Sequence, residues 1–586
     1  MQPLNYPCSR PRHAGLCLPR RSPVHTAITA AASALLLLLL LLLAAAPRHV
    51  AAQCTTILVG SGATVDGSMI MARNADAGEA IKPAGLLHHP APGKPVHFRS
   101  NINAFAADLP ADALAYTASP SFFTMAPGSH NPSFECCGVN AAGVSVTATE
   151  TILPSAKALA ADPLDEERGL GEDGIVSVLL PVARSAREGV ELLGAMVEER
   201  GASEGYGVAL MDQRDLWYFE NGGGHQWLAQ RVPDDSYFVS ANQGRFTTIP
   251  TSDSDALASS GVQSFARQHG LCNSSRPFSF FECYMQDDPS DRHFYNRPRV
   301  SRLQFLYSGH QGPDYPVFLK PKKKLSVWDV ARGLRDHFQG TPGEPYFAQN
   351  PGGPWRPISL LRTQLAHVSV QRPVGGGLPD ELTFVEWVAW GMPTLSPFLP
   401  LYLRALPKVP ARLQGPSDQP DDTTLYWIMR RLQAVVFQDF PVLAPPAIKV
   451  ITTLERGIAK AARAMEHRYK ASLASENPGA APQLVQDFTD AAVEVTAAVI
   501  SKVTALLAAK AGLGPLTNDD YAAMLVAAEL EYHFHLPEGP QGRGKKDKRK
   551  GPEIKGGLDT GAEGGAAAAA AGGGEPQEAG AAPKST

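Results

Sequence analysis

The spacing of apolar residues changes rhythm several times along this chain, and each change predicts a different element. Ala27 to Ala46 is a solid apolar run with nine consecutive leucines, Leu35 to Leu43, and no polar face. From Cys54 onward the apolar residues come in short runs. "CTTILVGS" and "MIMARN", separated by an Asp66-Gly67 turn signal, predict a hairpin; "FECCGVNAAGVSVTATET" predicts another, turning over Asn140 to Gly143. Between Gly174 and Gly201 the period lengthens to that of a helix, and Pro181 divides the segment into two. "GVALMD", "LWYFEN", "HQWLAQRV" and "SYFVSAN" then follow one another between short polar turns, as an antiparallel meander requires. Strands, two helices and more strands make an α+β domain with helices packed on sheet.

Further on the rhythm is less regular. Pro342 to Pro410 is dense in Pro and Gly with aromatic islands, which predicts irregular structure laid over a core. About Thr424 to Tyr532 is helical in period, with breaks near Pro445-Pro446 and Pro478. After Leu536 the composition falls to Gly, Ala, Lys and Glu, too little to bury against chain entropy, so a disordered tail is expected. This divides the chain into a leader, 1–53, a first domain, 54–415, a helical part, 416–536, and a tail, 537–586. There is no internal repeat.

At 586 residues, 44% apolar and 19% charged, the chain has the composition of a soluble globular protein. A formal net charge of −4 gives no basic field for nucleic acid or an anionic membrane, which points to a small partner. Arg10, Arg12, Arg20 and Arg21 ahead of the leucine run, and Ala51 and Ala52 behind it, have the order of a secretory signal. An uncleaved membrane anchor and an organelle transit peptide are the alternatives. Cys8 and Cys17 would leave with the leader, and the mature chain would keep Cys54, Cys136, Cys137, Cys272 and Cys283. Cys272 and Cys283 are close enough to close a small loop in an oxidising compartment, whereas adjacent Cys136 and Cys137 are not expected to bridge. Asn273-Ser274-Ser275 is a glycosylation sequon in that loop, and no cysteine spacing is that of a zinc site.

Cys54 stands where the leader gives way to the first strand. A thiol needs a base to act as a nucleophile near neutrality, and an N-terminal cysteine carries one: an α-amine with an ordinary pKa of about 7.7 to 8.0. Cleavage before Cys54 would place nucleophile and base on one residue. Without cleavage Cys54 is a small buried residue at a strand start. Gln53 is a poor last residue for signal peptidase, which predicts a second trimming or self-processing step. The second strand ends in Arg73-Asn74-Ala75-Asp76, and in a hairpin that end returns beside Cys54. A guanidinium there lowers a thiol pKa, and a carboxylate holds or orients an ammonium.

"CTTILVGSGATVDGSMIMARNAD" resembles the start of the C69 dipeptidases, cysteine-type N-terminal nucleophile hydrolases related to choloylglycine hydrolases and penicillin V acylases and, more distantly, to secernins. "FECCGVNAAGVSVTATET", "WYFENGGGHQWLAQRVPDD", "FVSANQG", "YNRPRV", "RPISLLRTQLAHVSVQR" and "EWVAWGMPTLSPFLPLY" continue the resemblance in order. It implies a four-layer αββα sandwich with Cys54 on a central strand, exposed by loss of the leader, and additional C-terminal helices. It also implies that Arg73 and Asp76 are active-site residues, that Asn140 and Asn242 supply oxyanion donors, and that Arg299 completes the cluster, with Arg302 as the other candidate. Preformed donors suit a carbonyl oxygen on which charge develops. Ala75, Ala77 and an extra glycine before His225 depart from the family pattern.

The resemblance implies a dipeptidase that cleaves short peptides through a Cys54 thioester, without metal or cofactor, and the signal-like leader points to a secreted or vacuolar/lysosomal lumen. No nucleic acid and no stable membrane contact are expected, and self-association into a homo-oligomer is left open. An N-acyl amide hydrolase on the same fold is the alternative, as is a non-catalytic binding protein if the leader is retained. His225 with Glu220 lacks a third ligand and reads as solvated or hydrogen-bonded. His533 and His535 are assigned no chemistry, and "KKDKRK" at Lys545 to Lys550 reads as a solvated run.

Overall fold

In the strand Thr55–Val59 every side chain is buried, but neighbours enter different cores. Leu58 packs with residues of a second sheet, while Ile57 and Val59 pack with helices on the other side. The partner strand Met69–Asp76 behaves likewise: Met69 and Met71 face the second sheet, Ile70 and Ala72 the helices. The two-residue period of a strand therefore sorts a continuous apolar run into two cores.

The computed structural model describes residues 54–532 except 78–80, 82, 124–132, 151, 251–253, 274, 288–294, 313, 348–354 and 416–418. The leader, the tail, His533 and His535 lie outside the described residues.

One sheet has seven strands in the order Phe318–Leu319, Tyr237–Ser240, Thr55–Val59, Met69–Asp76, Thr363–Gln371, Phe384–Trp390 and Leu399–Leu401. The other has eight: Ala256–Ala258, Trp227–Arg231, Leu216–Asn221, Tyr206–Met211, Ser145–Glu150, Ser133–Asn140, Tyr116–Phe123 and Leu87–His89. Every pairing in both is antiparallel. In the second sheet, Ala209, Met211 and Tyr218 face the first sheet; Val208, Leu210, Trp217 and Phe219 face the helices Glu172–Leu179 and Ala186–Arg200. The helices Asn296–Ser308 and Val327–Leu334 cover the outer face of the first sheet through Val300, Leu303, Val330 and Leu334. The layers are α, β, β, α, as the α+β reading with a four-layer sandwich expects.

Both expected hairpins form, the second over Gly143 at φ +85, a left-handed conformation that glycine adopts without a Cβ clash. Three expectations need correction. Tyr237–Ser240 does not complete the meander; it crosses to the first sheet and pairs with Thr55–Val59. Pro342 to Pro410 is not irregular throughout. It contains Thr363–Gln371, Phe384–Trp390 and Leu399–Leu401, which extend the sheet beyond Met69–Asp76; prolines fall at the ends or on the edge strand, where a missing N–H is tolerated. The break at Pro445-Pro446 is absent, because Phe440–Leu473 runs through both prolines. Pro446 has no N–H for the Val442 carbonyl, and Lys510 Nζ lies 3.5 Å from that oxygen.

The helices Leu425–Val436, Phe440–Leu473, Ala481–Lys510 and Asn518–Glu531 share the inter-sheet core: Leu425, Ile428 and Leu432 pack in the same cluster as Trp390 and Leu399. The glycines before His225 are set by close approach. A Cβ on Gly224 would sit 2.2 Å from the Pro163 carbonyl oxygen, and one on Gly223 would sit 2.8 Å from Asp162 Oδ2. Leu58→Ala is expected to cost about 2 to 5 kcal/mol in urea unfolding, whereas Val65→Ala, at an exposed position, is expected to stay within about 0.5 kcal/mol.

Candidate active site

Cys54 immediately precedes the central strand Thr55–Val59 and is 1% exposed. Continuing the alternation, its side chain shares the inter-sheet face with Thr56 and Leu58. Thr56 pairs with Arg73, so the arginine lies on that same face. Arg73 Nη1 donates to Cys54 Sγ at 3.0 Å, Nε donates to Thr147 Oγ1 at 2.8 Å, and Nη2 donates to the Cys136 carbonyl at 2.8 Å. The last two acceptors belong to the second sheet. Glu172 Oε1, at the start of a covering helix, is 3.8 Å from Arg73 Nη1.

The other face of the strand is held by Arg299. Its Nη1 donates to the Cys54 carbonyl at 2.8 Å and to Thr55 Oγ1 at 2.9 Å; its Nη2 donates to Asn242 Oδ1 and to Asn296 Oδ1, each at 2.6 Å. Asn242 lies two residues past Ser240, which pairs with Thr56, so it stands beside Cys54. With its amide oxygen turned to Arg299, Asn242 presents its NH2 end away from the guanidinium. Arg302, three residues on, instead forms an ion pair with Asp336 at 3.0 Å. The structure thus brings Arg299 to Cys54 and Arg302 elsewhere.

Asp76 stands near enough to Cys54 to act on the thiol through its charge, whereas the Asn140 side chain serves its own turn. Asp76 is buried on the helix-facing side, and its oxygens accept from Thr363 Oγ1 at 2.6 Å and from Arg356 Nη2 at 2.7 Å. Its charge raises the thiol pKa, while its hydrogen bonds hold a buried arginine. Asn140 is at the turn end of its hairpin. Its Nδ2 donates to the carbonyls of Leu180 and Ala183 at 2.8 and 2.7 Å, and its Oδ1 accepts from Val144 N. These bonds fasten the turn to the chain after the first covering helix, and they use the whole amide. Thr149, from the following strand, stands close enough to Cys54 to lower its thiol pKa.

Burial pushes the Cys54 thiol pKa up; Arg73 pulls it down, Glu172 and Asp76 push it up, and the neighbouring Thr149 pulls it down. The net direction is upward, so the guanidinium acts as expected but desolvation outweighs it. Tyr295 lies between the guanidinium groups of Arg299 and Arg356, 5.0 and 5.2 Å from its ring centroid. Thr149, Glu172 and Arg356 were missed in the sequence. An acidic pair opening a helix ordinarily complements its dipole, and nothing local to "GEDGI" signals burial against an arginine about a hundred residues earlier.

Cys272 and Cys283 form the disulfide, and Cys54, Cys136 and Cys137 are not disulfide-bonded. His225 Nδ1 bonds Asp162 at 2.8 Å, while Glu220 accepts from the backbone N–H groups of Arg245 and Phe246, so these two do not form a ligand pair. Among the described residues Cys137, His367 and Glu386 bring potential ligand atoms within 4.8 Å of one another. His367 already meets Glu386 at 2.9 Å and Thr147 at 3.0 Å through its two ring nitrogens.

The sequence model of peptidase family C69 matches residues 53–451. The chain belongs to this family. A probable dipeptidase of Salmonella dublin is 44% identical over 357 residues, 60% of this chain and 80% of that one. A probable dipeptidase B of Lactococcus lactis subsp. lactis is 33% identical over 388 residues, 64% and 79%. The crystal structure of a mutant conjugated bile acid hydrolase from Clostridium perfringens aligns at a TM-score of 0.30 and 12% identity over 57% of this chain and 89% of that one. The C69 match begins one residue before Cys54.

Glu220 in this C69 chain offers a check on its burial. Desolvation raises its carboxyl to about 7. Between about pH 4.5 and 7 the unfolded chain releases this proton and the folded chain keeps it, so this group's stability contribution falls as pH rises through that window and levels off above it. Relative to Glu220→Gln, the wild type is expected to lose roughly 3 kcal/mol between pH 4.5 and 7.5, read from urea unfolding at both.

Proposed function

We propose that the chain is a cysteine-type dipeptidase whose active form begins at Cys54. The observation that carries this reading is the 3.0 Å contact of Arg73 with Cys54 Sγ, at the head of a strand whose first carbonyl is held by Arg299. The named dipeptidases among its relatives support peptides as the substrate class. Cleavage before Cys54 frees an α-amine, which takes the thiol proton as Sγ bonds to the peptide carbonyl carbon. The oxyanion is held by donors at the Asn242 side. The same amine then gives its proton to the leaving nitrogen as the C–N bond breaks, and water hydrolyses the thioester to restore the thiol.

The upward-shifted thiol fits this sequence of events. While residue 54 is an internal amide the sulfur has Arg73 but no base, and burial keeps it protonated. Asp76 and Arg356 form a buried ion pair that positions the strand end. Leader removal in a secretory or vacuolar/lysosomal route is part of the proposal. The Cys272–Cys283 disulfide suits an oxidising lumen, and the exposed Asn273 beside it suits glycan attachment.

N-terminal sequencing of active protein is expected to read Cys54-Thr55-Thr56, and active protein beginning elsewhere would refute the mechanism. Cys54→Ser is expected to abolish dipeptide hydrolysis without loss of fold by circular dichroism. Arg299→Ala is expected to lower kcat/KM at least about 100-fold, the scale of losing a positioned oxyanion donor. Arg302→Ala is expected to leave it within about threefold; the reverse order would point to the wrong arginine.

A further inference from the structure

Arg73 Nη1 stands between two partners of unequal strength, the Cys54 sulfur at 3.0 Å and the Glu172 carboxylate at 3.8 Å. A guanidinium binds a carboxylate more strongly than a neutral thiol, so its lateral contacts decide where that nitrogen points. One of them is the Cys136 carbonyl, a main-chain group of the second sheet; the other is the Thr147 hydroxyl, which can turn about its side-chain bond. That hydroxyl is held from a further direction. His367 Nε2 lies 3.0 Å from Thr147 Oγ1, and His367 stands directly opposite Arg73 across the strands Met69–Asp76 and Thr363–Gln371. Opposite residues share a face, so both side chains enter the space between the sheets. On the far side of the ring, Nδ1 lies 2.9 Å from Glu386 Oε1 and 3.3 Å from Ser369 Oγ. Thr147, His367 and Glu386 are all buried. Neither carboxylate oxygen of Glu386 takes a hydrogen bond among the described residues, which leaves the imidazole to face its charge.

We propose that Glu386 and His367 are positioning residues that fix the Thr147 hydroxyl and through it keep Arg73 turned to the Cys54 sulfur. The inference deepens the dipeptidase reading and rests on Cys54 as its nucleophile. Arg73 Nε can only donate, so it takes one lone pair of Thr147 Oγ1, while the Cys136 carbonyl, 3.2 Å from that oxygen, can only accept its proton. The carboxylate beside Nδ1 keeps the N–H of that nitrogen on its own side, and the rigid ring then aims Nε2 at the hydroxyl. Three groups in three directions leave Oγ1 one position. Without the imidazole the hydroxyl loses the contact that resists its rotation, and Nη1 follows the pull of Glu172. Arg73 is the group that most lowers the thiol pKa, so a tilt of its guanidinium reaches the chemical step before it reaches substrate binding.

The test uses processed enzyme beginning at Cys54, checked for fold by circular dichroism. It reads kcat and KM on Ala-Ala, and the rate at which iodoacetamide alkylates Cys54, located by mass spectrometry. Asparagine places a side-chain amide where Nδ1 was, and glutamine places one where Nε2 was. His367→Asn is expected to lower kcat and the alkylation rate about 10-fold or more with KM held within about threefold, whereas His367→Gln keeps all three within about threefold of native. Thr147→Val, which keeps the shape and removes the hydroxyl, is expected to lower kcat about 30-fold or more, and Thr147→Ser to stay within about fivefold of native. Adding His367→Asn to Thr147→Val is expected to cost no more than about a further threefold, because the contact that carries the effect is already gone. Losses that multiply, or asparagine and glutamine variants that lose equally, would mean that His367 only fills the core, and either overturns the inference. Native-like kcat in Thr147→Val overturns it as well, and that result needs no His367 variant to fold. A native enzyme that leaves Ala-Ala intact while its Cys54 alkylation rates follow the expected pattern overturns the dipeptidase reading and leaves the positioning of Arg73 standing.

Discussion

A guanidinium buried between two sheets is the constraint on which the rest of this site is built. Arg73 comes from the first sheet, and its donors reach a thiol on its own sheet and a hydroxyl and a carbonyl on the other. A charge in that position is costly unless its donors are satisfied and a counter-charge is near, which Glu172 supplies from the covering layer. Three layers therefore have to arrive in register for the cation to be tolerated. Lysine could not substitute, since a single ammonium lacks the planar fork that addresses separate acceptors in fixed directions.

Arg299 repeats the logic on the opposite face. It joins the Cys54 carbonyl, the Thr55 hydroxyl and two asparagine side chains across the boundary between sheet and helix. Residue 54 is thus fixed by one arginine through its side chain and by another through its main chain. The strand's alternation makes this division unavoidable, because consecutive groups point to opposite sides.

How much of this was legible in the sequence follows from how local each signal is. Both hairpins, the helix pair split by Pro181, and the position of Cys54 were readable because turn residues and period are carried by short windows. Arg73 was readable because a hairpin returns its end to its beginning. The strands between Pro342 and Pro410 were not, because proline and glycine at their borders masked runs such as "FVEWVAW", and the strand that joins this group to the rest of the sheet lies some three hundred residues away. The same distance hid Arg356 as the partner of Asp76. Asn140 serves its turn, as an asparagine before a glycine can, and both N–H groups of its side-chain amide are used there.

The grip of Arg299 on the Cys54 carbonyl has a bearing on maturation. The anchoring contacts described for residue 54 all come through its side chain or its carbonyl, the downstream half of the residue. Severing the upstream amide would release no restraint among them, and the new ammonium would appear in a frame already set. Many zymogens must refold a loop after the cut. In the proposed route the cut would leave these contacts in place, and activation would reduce to unmasking one nitrogen.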